Sequence, residues 1–575
     1  MLYVAFLTIK APVNKVFFIF ISVIIGCALR SNLLINMFIQ LFIIFLTIIG
    51  IFFLNRSSLF KNRSQYFRIA AMSIIFLAAF IRIFRYSSIM GLNLDEAMGG
   101  YNSWSLAHYG VDSALNRNPV YLYAWGTGMN LLYPLISVPF IKLIGISLVA
   151  YRLPMVILSI GSIFSLVVGM LMYKLPNRLI LLSLATVFLS PWSIMANRWG
   201  LESNLFPIIF TFVASAFLLF LSKQANHPKQ AKMYLYIFAF LIALSAYAYS
   251  NNWFMLPFFV CGIFGYLYLK KKASLKSLSA SAFLILLIIW PLLLFAKINY
   301  FSGKTFKILS LTIPKLSSSR SNSELIIGHG NIFYSISNNI FKFIKLMVTG
   351  NDHLIWNSLP QIGILYPFMF IFCIVGIVIA FKKRNDWDNF MLISLLSCLP
   401  IIMIIKINAN HLNALMLPIL YFEALGLYYS LKGPILKMAF TIVFSLYFVT
   451  FSFFYFHADQ TLLTQGRTLT PSILGKAIRF ANKSKAKKIY ITCLPKGGYV
   501  IPRFYCPISP VAFNKEKPNV TFKTESNYKS YGKWYFKQPK KMSNNSVLIV
   551  KKGQKLHFRL RNRHKKDFGQ YRVYY

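Results

Sequence analysis

Carboxylates are scarce in this chain. Its 575 residues hold 13 Asp+Glu against 61 Lys+Arg, a formal net charge of +48. Charge of either sign is low, at 13%, roughly half the share of a soluble domain. That excludes an ordinary soluble enzyme, and also a disordered chain, which stays unfolded by being polar and highly charged. Six cysteines are too few for a secreted disulfide scaffold. No CxxC or His/Cys cluster has zinc-site spacing, and no repeat of fixed period is present.

Apolar residues are abundant, at 57%, and aromatics reach 17%. Thirteen apolar stretches have a length that spans a bilayer as a helix, roughly 14–30, 33–54, 68–90, 148–172, 179–195, 205–222, 233–250, 253–269, 279–297, 362–381, 390–406, 411–430 and 434–456. The spacing predicts an all-α polytopic membrane protein with about 11–13 transmembrane helices. Loop charge orients it. With the N-terminus cytoplasmic, the short inside loops carry 17 basic residues, among them Arg63, Lys174, Lys229, Lys270, Lys383 and Lys432. The short outside loops hold Arg30 and Arg198, with Lys406 at a border. This asymmetry follows the positive-inside rule. It places 91–147, 298–361 and the tail 457–575 outside.

Lys10 and Lys15 ahead of an apolar run, with Ile24-Ile25-Gly26-Cys27, resemble a signal or lipoprotein cleavage site. The apolar helix that follows favours a first transmembrane helix instead. In the tail the apolar runs stop. It carries 26 basic and 4 acidic residues over 119, a net +22. Short strands at 488–493 and 546–551 and a helix at 474–481 predict a small extracytoplasmic α/β domain. Cys493 and Cys506 both lie there, where an exported compartment permits a disulfide. Cys27, Cys261, Cys373 and Cys398 lie in spans and read as packing thiols.

With so few acids, each is informative, because an acid at bilayer depth costs about 2.5–3.5 kcal/mol. Glu423 alone falls inside a span. Asp95-Glu96 stand side by side at the outer end of the third span. Partial desolvation there suits a general base, and a solvated helix end is the competing reading. Arg198 and Glu202 are four apart and face one way on a helix, as a site pair or as a structural ion pair. Arg152 is a lone cation at an outer helix end, where it meets a lipid phosphate or snorkels. Lys297, at the head of the long segment 298–361, is read with that segment's basic residues as able to grip a phosphate or as solvated. Tyr247, Tyr249 and Trp253 stack on a sugar or form an interfacial belt. His411 beside Asn410 reads more readily as structural than as a ligand.

Several of these residues lie in motifs that follow one another in a telling order: Asp95-Glu96, Asn118-Pro-Val-Tyr121, Pro139-Phe-Ile-Lys-Leu-Ile-Gly145, Tyr151-Arg-Leu-Pro154, Asn197-Arg-Trp-Gly-Leu-Glu202 and Asn408-Ala-Asn-His-Leu-Asn413. In order and placement they resemble the polytopic glycosyltransferases of the GT-C fold, most of all the protein O-mannosyltransferase / aminoarabinose transferase group (glycosyltransferase family 39-like). The similarity covers roughly 68–456. Residues 1–60 form an extra N-terminal hairpin, 61–456 the transmembrane core, and 457–575 a basic domain outside the resemblance. The Trp-Trp-Asp signature of transfer to asparagine is absent.

The resemblance implies a bacterial plasma-membrane enzyme. It would move a sugar from a polyprenyl-phosphate donor to a cell-envelope acceptor (protein, glycan or lipid) at the outer leaflet, with inversion. It assigns Asp95 as base and Glu96 as helper. Arg152, with Arg198 and Lys297, would meet the donor phosphate, and Glu202, Tyr247, Trp253 and His411 the acceptor or sugar. A divalent metal is not indicated by any ligand spacing. The rival readings are a membrane transporter or lipid-linked sugar flippase, and a non-catalytic assembly protein. Nucleic acid is not an expected partner, since the largest basic segment lies outside the cell.

Overall fold

The computed structural model describes residues 32–301, 303–308, 310–317, 324–326, 331–457, 469–516, 528–558, 560 and 563–575. The expected span 14–30, the cleavage-like Ile24–Cys27 segment, and Lys10, Lys15, Arg30, Arg320, His329, Asp459 and Glu525 lie outside the described residues.

In chain order the elements are α1 (Asn32–Arg56), α2 (Ser58–Lys61), α3 (Gln65–Ile83), β1 (Leu92–Asn93), α4 (Leu94–Tyr109), β2 (Tyr121–Leu122), β3 (Met129–Asn130), α5 (Leu132–Ile144), α6 (Leu148–Met172), α7 (Asn177–Leu189), α8 (Pro191–Ala196) and α9 (Glu202–Lys223). There follow α10 (Pro228–Ala246), α11 (Leu256–Leu269), α12 (Leu275–Tyr300), β4 (Phe306–Ile308), β5 (Leu311–Ile313), α13 (Ile332–Thr349), α14 (Met369–Lys383), α15 (Asp386–Leu396), α16 (Leu399–Ile404), α17 (Asn413–Ser430) and α18 (Pro434–Phe456). The tail adds β6 (Leu469–Thr470), α19 (Ser472–Lys483), β7 (Lys488–Ile491), α20 (Val500–Tyr505), α21 (Pro510–Lys515), β8 (Ser530–Tyr531), β9 (Trp534–Tyr535), β10 (Ser546–Lys551), β11 (Lys565–Phe568) and β12 (Tyr571–Tyr574).

The protein is a polytopic helical membrane protein with a small C-terminal sheet domain. Seven helical stretches among the described residues are long and apolar enough to cross a membrane unaided: α1, α3, α6, α9, α12, the α15–α16 run and α18. Each of the twelve expected stretches from 33 onward contains helix, but not each is a full span. Helix α7 has 13 residues, α11 has 14 and α14 has 15. At about 1.5 Å per residue they are shorter than a hydrocarbon core of about 30 Å. The stretch 68–90 stops being helical at Ile83, and 390–406 breaks at Ser397–Cys398 ahead of Pro400. Segment 91–147, expected as a loop, contains the apolar α5.

Burial orders the bundle. Helix α9 is enclosed nearly throughout, whereas α1 and α18 bury little of their surface. Ile442, Leu446, Val449 and Phe453 of α18 stay bare, as lipid-facing side chains should. Helices α14 and α17 cross with backbones touching. A Cβ on Gly376 would stand 1.9 Å from the Phe422 carbonyl oxygen, and one on Gly426 1.9 Å from that of Phe372. Small residues permit this approach, which is how helices associate where lipid removes the hydrophobic drive.

The two sets of loops gather at opposite ends. At one end Arg63 bonds Asn177, Lys272 bonds Asp386 at 2.9 Å, and Arg178 bonds the Leu431 carbonyl. These are the basic loops. At the other end the segment 84–131, the turns near 198, 250 and 410, and the C-terminal domain come together. That domain has a six-stranded mixed sheet in the order β11-β12-β10-β7-β9-β8, with β7 parallel to β10 and β9. Cys493 and Cys506 are free thiols in it, so the permitted disulfide is not formed.

Candidate active site

Helix α4 starts where its sequence says it should. Asn93 is the N-cap. Its side-chain oxygen accepts from the Asp95 N–H at 2.9 Å, and Glu96 completes a capping box by accepting from the Asn93 N–H at 3.2 Å. The strand before it is held from outside. Leu92–Asn93 pairs antiparallel with Leu469–Thr470 of the C-terminal domain. Gly91 has φ +67, and a Cβ there would meet the Thr470 carbonyl oxygen at 2.4 Å, so only glycine fits.

The adjacent acids then divide. Glu96 is fully buried. Its Oε1 accepts from Arg152 Nε at 2.7 Å and from the Gly200 N–H at 2.8 Å. Its Oε2 accepts from Arg152 Nη2 at 2.7 Å. Arg152 is just as enclosed. It also donates to the carbonyls of Tyr86 and Ile89 at 3.1 Å and of Gly91 at 2.5 Å. Its guanidinium lies 4.4 Å from the centre of the Trp199 ring. All five N–H groups of the fork are therefore engaged. This corrects two expectations. Arg152 has no donor left for a lipid phosphate, and Glu96 is committed as the anchor of Arg152, not a helper to a base. Asp95 alone of the pair keeps part of its surface open. It lies within electrostatic reach of Tyr151, whose hydroxyl packs against Gly99.

The second loop joins the same cluster. Glu202 is buried and accepts the Asn130 N–H. Asn130 in turn accepts from the Ser250 N–H at 3.0 Å and the Tyr121 hydroxyl at 3.3 Å. Arg198 and Glu202 do not pair. Arg198 is buried and donates to the Ile81 carbonyl from Nη1. It lies 5.4 and 5.1 Å from the Tyr455 and Phe456 ring centres at the end of α18. Its Nε and Nη2 have no hydrogen-bond acceptor among the described residues, though the Tyr455 hydroxyl is beside it. Burial holds this guanidinium below its usual value, and Tyr455 opposes that. A desolvated cation with spare donors gains strongly from an anion.

The aromatic residues form a neighbouring wall. Trp253 packs edge-on to Tyr121 and Phe295 and donates to the Ala246 carbonyl at 2.8 Å. Tyr247 is half-buried and donates to the Ile288 carbonyl at 2.8 Å, tying α10 to α12. Lys297 is exposed on the last turn of α12. His411 belongs to a separate group. Its Nδ1 lies 2.6 Å from the Lys406 carbonyl and its Nε2 3.8 Å from Glu324. Nearby, Asp352 accepts from the Ala409 N–H at 3.0 Å. These contacts give His411 the structural use that was weighed against acceptor or sugar binding. Among the described residues no three His, Cys, Asp or Glu side chains gather as metal ligands.

Two contributors escaped the sequence. Asn130 sits in a stretch with no pattern to mark it, whereas Tyr151 opens the Tyr151-Arg-Leu-Pro154 motif. Arg82 had a signal: it is a cation within an apolar run. It is fully buried and donates to the Phe188 carbonyl at 3.0 Å and Ser193 Oγ at 2.8 Å. Such residues are rare at depth and have partners.

No family model matches the chain, and no curated protein matches it. Solved structures do. The chain is similar to ArnT from Cupriavidus metallidurans bound to undecaprenyl phosphate, at 9% identity over 88% of this chain and 97% of that one, with a TM-score of 0.48. It is also similar to the oligosaccharyltransferase AglB from Archaeoglobus fulgidus, in complex with an inhibitory peptide and a dolichol-phosphate, at 11% identity and TM-score 0.47. That match covers 77% of this chain but only 64% of the archaeal protein's length.

Proposed function

We propose that the protein is an integral membrane glycosyltransferase that moves a sugar from a polyprenyl-phosphate donor to a cell-envelope acceptor at the outer leaflet, with inversion. The observation that supports it most is the division of Asp95 from Glu96. A capped helix start, a buried arginine fork and a docked strand all serve to fix one accessible carboxylate at the mouth of the bundle.

The chemistry needs few groups. An acceptor hydroxyl attacks C1 of the sugar as Asp95 takes its proton. The lipid phosphate leaves from the opposite face with the bonding pair. That phosphate is already a weak base, so it needs a cation and no proton donor. Arg198, less fully engaged than Arg152, is the cation this reading assigns to it, and Lys297 is an exposed second. Attack opposite the leaving group inverts C1. Glu202, held on the Asn130 backbone, and the Tyr121–Trp253 wall are the groups assigned to the sugar and acceptor.

The test uses membranes supplied with labelled polyprenyl-phosphate sugar. Asp95→Asn should lower transfer by about 10²–10⁴-fold, the usual worth of a general base, at unchanged protein level. Transfer at the unsubstituted rate sinks the reading. Arg198→Lys, which keeps the charge and loses the fork, should weaken donor use more than acceptor use.

A further inference from the structure

The C-terminal domain contains a cavity that the transferase reading does not use. Its volume is about 510 Å³, within the range of small-ligand sites. Its walls come from the end of α19, the residues after α20 and the β8–β9 turn, and no helix of the membrane bundle lines it. Three cations face it: Arg479, Lys483 and Lys533. Arg479 and Lys533 both act electrostatically on the Cys506 thiol on the same wall, so they converge. Lys533 is steadied by donating to the Asn482 carbonyl at 2.9 Å, and the Arg479 guanidinium lies 5.0 Å from the centre of the Tyr505 ring.

The opposing charge is small. Among the described residues of the domain only Glu516 and Asp567 are acidic. Asp567 is bound by Arg572 and Lys552. Glu516 accepts the Gly532 N–H at the rim. The remaining wall is apolar and aromatic, with Trp534, Tyr505, Pro507 and Ile508. The Tyr505 ring is packed against Gly475 and offers the cavity its aromatic face. Cations attract phosphate, and aromatic and apolar walls take up the C–H faces of a sugar ring.

We propose that this cavity binds the phosphate-bearing sugar unit of an anionic glycan, at the domain that braces Asp95. It stands on the domain's own residues, so it does not fall if the transferase reading does.

The experiment titrates the full-length protein, in detergent at about 0.15 M salt, with glucose 6-phosphate, glucose and inorganic phosphate. Glucose 6-phosphate should bind saturably and more tightly than either of the others. The variant Arg479→Gln/Lys483→Gln/Lys533→Gln should lose at least tenfold in affinity. A variant with the same charge change on exposed positions elsewhere, Lys485→Gln/Lys540→Gln/Lys541→Gln, should keep it. Equal binding of glucose, or equal loss in the second variant, overturns the site. Equal binding of inorganic phosphate overturns the sugar class. Tighter binding of the same sugar phosphate on a short polyprenol in nanodiscs overturns the glycan source. Thermal melting of both variants separates a lost site from a lost fold.

Discussion

At the scale of single residues, two adjacent carboxylates in one dipeptide have opposite duties. Glu96 lies at zero exposure in a bidentate pair with Arg152. Removing one partner leaves an uncompensated buried charge, which costs about 3–5 kcal/mol. Glu96→Gln should therefore reduce folded protein, read as a lower melting temperature and less material in gel filtration. Asp95→Asn should leave both unchanged while transfer falls. The same scale governs the thiols. Burial pushes the Cys493 thiol up to about 12 and Cys506 up to about 11. Both stay protonated at neutral pH, where a thiol is a poor nucleophile. Native protein should react slowly with iodoacetamide at pH 8 and faster only as pH approaches 11, and its intact mass should not change on reduction. Asp95-Glu96 was visible in the sequence because acids are rare there. Which of the two is sealed was not, because that depends on Arg152, 56 residues away.

At the scale of elements, the α14–α17 crossing is the most exacting contact. Gly376→Ala places a methyl group against a carbonyl, and overpacking of this kind costs about 1–3 kcal/mol or more. The expected result is a lower melting temperature, whereas Gly433→Ala, with open space around its Cβ position, should do little. Helix positions were legible here because apolar runs of span length leave few alternatives in lipid. Helix lengths were not. Hydropathy does not register the break at Ser397–Cys398 or the end of α3 at Ile83, which proline chemistry and tertiary contacts impose. Helix α13 escaped the expectation for the opposite reason. It is amphipathic, with Phe333, Phe341, Ile344 and Val348 exposed, so its apolar residues never form a continuous run.

At the scale of the whole molecule, the basic tail is part of the site's support. Leu92, Leu94, Ala97 and Met98 share a core with Leu474, Ile478 and Phe504 of the C-terminal domain. Tyr101 donates to the Ile508 carbonyl at 2.7 Å, and Asn514 to the Ser113 carbonyl at 2.9 Å. Arg503 is buried between the Tyr101 and Phe513 rings, 3.8 and 3.7 Å from their centres. Deleting 457–575 should bare this face of α4 and unpair β1. Transfer should fall by about 10²-fold, the scale of a misplacement near 1 Å, and limited proteolysis should cut within 91–131. Transfer at the full rate by the truncated chain would show that the domain has no bracing role.

The scarcity of acids and the length of the apolar runs determined, from sequence alone, that this is a membrane protein, and they singled out Asp95-Glu96. Both rest on the cost of charge in hydrocarbon, which is local and needs no partner to be felt. Tertiary structure decided the rest. It made Arg152 a clamp, set Arg198 beside Tyr455, tied His411 to the Lys406 carbonyl and turned the tail into a brace. Those roles depend on which groups meet across the fold, and a hydrogen bond between distant residues has no period in the sequence.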